Sequence, residues 1–109
     1  MKRILLLAIA LAALAPLPAR AQATAEDSVR AVIVRLFDGM RAGDSAAVRS
    51  VFVPGARLHT AVVGRDGTPV LREDSLEAFV RAVGEPHELV WDERVDGWHV
   101  RIDGPLAVA

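Results

Sequence analysis

A chain of 109 residues without a single cysteine excludes disulfides, thiolate catalysis and thiolate metal sites together. Its 13 basic and 14 acidic side chains nearly cancel, but three of the cations sit in a leader-like start. From Thr24 onward 10 arginines face 14 acids, a net charge of −4 with no basic cluster, which argues against a nucleic-acid partner.

Lys2 and Arg3 open the chain with positive charge, and Ile4 to Leu14 is an unbroken apolar run. Pro16 and Pro18 break that run, and Ala21-Gln22-Ala23 places small residues at the two positions a signal peptidase reads. The pattern predicts a signal peptide over residues 1–23 and an exported product, periplasmic or secreted. The apolar core is 11 residues long, against roughly 20 for a bilayer span. No stable membrane anchor is expected, and no cysteine follows to carry a lipid. Residues 24–109 then make one small domain of 86 residues.

The first helix is read over Thr24 to Met40, with Val29, Val32, Ile33, Leu36, Phe37 and Met40 spaced as one apolar face. Thr24 with Asp27 resembles a capping box at its start, and Gly43 is a natural left-handed stop. Asp44 caps a short second helix from Ser45 to about Phe52, which Pro54-Gly55 ends. So broad an apolar stripe on the first helix calls for a broad partner surface, which the later segments, read as a curved sheet, would supply.

Arg57 to Val63 reads as a strand, Arg65-Asp66-Gly67-Thr68 as a turn and Pro69 to Arg72 as the return strand of a hairpin. Asp74 as N-cap with Glu77 three residues on predicts a capping box for a third helix. Its apolar positions are Leu76, Phe79, Val80 and Val83, and Gly84 with Pro86 is expected to stop it. His87 to Ile102 reads as one long strand with a bulge at Asp96-Gly97, or as two short strands around that pair. Asp103-Gly104-Pro105 is a turn, and Leu106 to Ala109 begins a further apolar strand. Such a strand would expose an unpaired apolar edge, so the sheet is expected to continue past Ala109.

The order of elements is similar to the nuclear transport factor 2-like superfamily. The segments that carry the resemblance are Val32 to Arg49 with its Ala42-Gly43-Asp44 joint, Val51 to Ala56, the helix from Ser75 to Val80, and Val100 to Ala109. Within the superfamily the chain resembles the SnoaL-like proteins and the branch named for lumazine binding. The resemblance implies an α+β fold, a cone in which a curved, mostly antiparallel sheet wraps the long first helix. Its last strands would be missing here. It also implies a pocket for a hydrophobic small molecule and a homodimer through the outer sheet face.

Enzymes of that superfamily place an Asp or His base in the cone and an acid or Tyr opposite it. This chain has no Tyr, and Gly55 stands where many relatives carry an acid. His59 is the remaining candidate acid or base. If Arg57, His59, Ala61 and Val63 face the interior, Arg57 and His59 line the pocket; in the other register Leu58, Thr60 and Val62 face inward. Trp91 and Trp98 are the large aromatics of the late strands; a Trp can give a ligand a flat wall, with Trp91 the candidate, or both pack onto the helix or the outer face. His99 and Arg101 alternate with Val100 and Ile102 and read as a solvated face. No cofactor or metal is expected: His59, His87 and His99 lack ligand spacing, and Asp92-Glu93-Asp96 lacks that of a calcium loop. Three readings follow: an exported small-molecule-binding or accessory domain without catalysis, a cofactor-independent isomerase, cyclase or dehydratase using His59, or a dimerising module.

Overall fold

The computed structural model describes residues 17–109. They form α1 (Leu17–Ala42), α2 (Ser45–Ser50), β1 (Arg57–Val63), β2 (Pro69–Ser75), α3 (Leu76–Gly84), β3 (Arg101–Asp103) and β4 (Leu106–Val108). The chain is α+β, with two separate two-stranded antiparallel sheets, β1–β2 and β3–β4, neither closed. Two compact units divide it: Arg30–Trp98, and the residues up to Val29 together with His99–Ala109. The leader read over residues 1–23 lies mostly outside the described residues. Among those described, no helix is long and apolar enough to cross a membrane.

The expected cap at Thr24 is absent, because the helix runs through it and begins at Leu17. Four alanines between Leu17 and Ala25 favour helix, and Pro18 falls in the first turn, where its missing N–H has no intrahelical partner to lose. Thr24 instead accepts a hydrogen bond through its carbonyl from the Ser28 hydroxyl, at 3.0 Å. The C-terminal end follows expectation. Gly43 adopts φ 64°, its N–H donates to the Met40 carbonyl at 3.1 Å, and the Asp44 N–H donates to the Gly39 carbonyl at 2.9 Å. That pair of bonds is a Schellman motif. Asp44 also caps α2, its carboxylate accepting from the Ala47 N–H at 2.9 Å. α2 ends at Ser50, two residues short of the expected Phe52. Pro54 and Gly55, the latter at φ 78°, then turn the chain, closed by the Ala56 N–H on the Val53 carbonyl at 3.2 Å.

β1 has the expected bounds, and β2 runs three residues further than expected, to Ser75. The turn between them is closed by the Gly64 N–H on the Thr68 carbonyl (2.8 Å) and the Gly67 N–H on the Gly64 carbonyl (3.0 Å), with Gly67 at φ 82°. The extension of β2 moves the α3 cap. Ser75, not Asp74, is the N-cap, its hydroxyl accepting from the Ala78 N–H at 3.1 Å. Asp74 is held in the ladder opposite Leu58, so the expected capping box does not form. Gly84 is not a left-handed stop either. α3 ends because Pro86 holds Glu85 extended, at ψ 151°. A side chain at Gly84 would meet Ser45 of α2 at 3.3 Å, so this glycine serves close approach of the two helices.

The core of the Arg30–Trp98 unit is Val48 of α2 with Leu76, Val80 and Val83 of α3. Those α3 positions are three of the four read from its spacing; the fourth, Phe79, is half-buried and meets Phe52 edge-on at 6.2 Å. From α1, Leu36 and Met40 pack against this core, and the buried Gly39 lets Val48 approach, since a Cβ there would lie 2.9 Å from its methyl. Val32, on the same expected stripe, is exposed.

The strand or strands read over His87 to Ile102 do not form. Only Arg101 and Ile102 of that stretch are in β structure. A strand needs a neighbour for its backbone groups, and no described strand lies beside residues 87–98. In the other unit, β3 and β4 pair across Gly104, at φ 55°, and Pro105, as that turn predicts. His99 and Arg101 are exposed there while Val100 and Ile102 are half-buried.

Candidate functional site

β1 and β2 alternate their side chains, so residues 57, 59, 61 and 63 share one face with 69, 71, 73 and 75. His59 stands directly opposite Glu73, and Arg57 lies diagonal to it. The His59 Nε2 is 3.0 Å from Glu73 Oε2, while the Arg57 guanidinium donates to Glu73 Oε1. One carboxylate therefore ties together two of the three residues expected at a site. All three members of the cluster are exposed.

The face is fixed by Leu58, which packs against the Val48–Val83 core. Of the two registers open in the sequence, Leu58 inward is the one adopted, and Arg57 and His59 occupy the opposite face. Trp91 does not join them. It packs against the core, with the His87 imidazole tilted over it at 4.1 Å between ring centres.

The cluster has one clear chemical capability. A carboxylate on Nε2 fixes the imidazole and leaves Nδ1 to exchange a proton with a bound molecule, the geometry of an oriented acid or base. Glu73 holds one partner on each oxygen, an arrangement suited to orienting the imidazole. The partner was findable in the sequence, because a hairpin turning at Gly64–Thr68 places 59 opposite 73. The expected return strand ended at Arg72, one residue too early.

A second set of charged groups lies elsewhere on the surface. Asp92, in the irregular stretch, accepts from Arg41 Nε of α1 at 2.8 Å and from Arg94 Nη2 at 2.6 Å. Arg41 also reaches Asp38, at 2.7 Å. Hydrogen bonds from Arg41 and then Arg94 hold the Asp92 carboxyl below its usual range. On the α2–α3 surface Arg49 makes a forked pair with Glu77, the second bond at 2.7 Å, and lowers the Glu77 pKa. Among the described residues no group of three His, Asp or Glu side chains is placed to hold a metal ion.

No family model, curated protein or solved structure matches the chain.

Proposed function

We propose that the chain is an exported small-molecule-binding or accessory domain of the nuclear transport factor 2-like type, in which a curved sheet wraps the first helix. The observation that carries this reading is the balance of its apolar surface. Four side chains are buried, while Leu36, Met40, Phe52, Leu58, Phe79 and Trp91 are half-buried and packed against them. A set that includes a Trp and two Phe offers flat apolar contact to a ligand.

The test is titration of the full chain with 1-anilinonaphthalene-8-sulfonate, read by the emission of the dye itself. Saturable 1:1 binding that weakens roughly tenfold in Trp91→Ala is expected, of the order of one lost aromatic contact. Non-saturating binding, or binding indifferent to Trp91, overturns the reading.

A second reading, acid–base catalysis by His59, is favoured by the 3.0 Å contact with Glu73. Its assay is deuterium exchange α to the carbonyl of cyclohexanone. His59→Ala should slow the protein-dependent rate by roughly a hundredfold or more while leaving fluorophore binding unchanged. An unchanged rate removes His59 from catalysis.

A further inference from the structure

Residues 87–98 lie beside α1 without being built into the fold. They carry no helix or strand, and among the described residues their backbone makes no hydrogen bond to any other backbone group. Side chains alone attach them. Trp91 rests on the core, Asp92 is bound to Arg41, and Trp98 lies beneath the Arg30 guanidinium at 5.8 Å from its ring centre. Arg30 and Arg41 are eleven residues apart on α1, about 16 Å along its axis. Six residues from Asp92 to Trp98 reach at most about 20 Å. The segment can therefore span the interval between the two arginines, and it runs antiparallel to the helix. At 100° per residue, Phe37 falls on the same stripe of α1 as Arg30 and Arg41, and it is half-buried.

We propose that residues 87–98 are a releasable strap along α1, clasped by the single carboxylate of Asp92. Release withdraws Trp91 from the core and frees the stripe of α1 that carries Phe37. The clasp suits that task. Its ion pairs are partly exposed, so salt screens them, and no ladder of backbone bonds must break. Segments held this way open locally at far less cost than the whole domain unfolds. As a device that admits a ligand, the strap rests on the small-molecule reading; as a structural element it does not.

Trypsin cleavage after Arg94 in the full chain tests it without any ligand, with cleavage after Arg81 in α3 as the monitor of global unfolding. Asp92→Ala should speed cleavage after Arg94 roughly fivefold and leave Arg81 unchanged, the scale expected when the one exposed ion pair to the helix is lost. Arg41→Met should reproduce it from the helix side. Potassium chloride at about 1 M should speed the wild-type cut and leave that of Asp92→Ala unaltered. Equal rates in wild type and both variants overturn the strap. So does parallel acceleration at Arg81, which would make Asp92 a support of the whole fold. Stopped-flow mixing with 1-anilinonaphthalene-8-sulfonate separates the two proposals. Faster association in Asp92→Ala supports the lid, an unchanged rate removes the lid role, and absence of binding in every variant overturns the small-molecule reading while the cleavage result still decides the strap.

Discussion

The helical corner of α2 and α3 and the β1–β2 hairpin are each built around four large apolar side chains, with opposite outcomes. Val48, Leu76, Val80 and Val83 of the corner are buried, whereas Val62, Val63, Val70 and Leu71 near the hairpin tip are exposed, Val63 at 74%. A short helix has one apolar stripe and needs one partner. A two-stranded sheet has two faces and two edges, and here only its β2 end and Leu58 reach a neighbour. Hydropathy is thus similar in the two regions, and the available partner surface decides which becomes core.

The comparison breaks most visibly under truncation. Leu76→Ala should cost about 3 kcal/mol in urea unfolding, and Leu71→Ala less than about 0.5 kcal/mol. Equal losses would mean the hairpin tip is covered in solution. Next comes close packing. Gly39→Ala pushes a methyl to within 2.9 Å of Val48 and should cost about 2 kcal/mol. At the open hairpin turn, Gly67→Ala meets no neighbour and should cost about 1 kcal/mol from its positive φ alone. Removing the Asp44 cap by Asp44→Ala should cost about 1 kcal/mol, seen in the thermal midpoint.

The smallest effect is in acid. Glu77 is lowered from its usual 4.5 chiefly by the Arg49 hydrogen bond, and Asp66 from 3.8 by the Thr68 N–H. A depressed carboxyl stabilises the fold above its unfolded pKa and loses that contribution as pH falls through the folded one. The corner should therefore weaken below about pH 4.5 and the hairpin turn below about 3.8, and carboxyl NMR titration resolves the two. Glu77→Gln should abolish the first component and leave the second.

The same contrast explains what could be read in advance. Gly43 and Asp44 were legible because a left-handed stop followed by a cap is local chemistry, settled within six residues. The bounds of β1 were legible from β-branched content, with an unambiguous turn behind it. The α3 cap was misassigned between neighbours, since Asp74 and Ser75 are both good caps and only the register of β2 separates them. Gly39 gave no signal at all, because its role is the space it leaves for Val48. Residues 87–98 misled for the converse reason, reading as a strand without a described strand to pair with. At the cluster, Arg57 and His59 were found, while their shared Glu73 needed the register.

Asp44 belongs to two helices at once, and that has a consequence for the order of assembly. The contacts that form this joint link residues three to nine apart, from the Asp44–Ala47 cap to Gly39 against Val48. The clasp between Arg41 and Asp92 closes a loop of 51 residues. Loop closure grows more costly with length, and non-local contacts wait on local ones. The joint is therefore expected to act as the nucleus, formed on the time scale of helix growth, with the strap the last element to arrive and the first to leave.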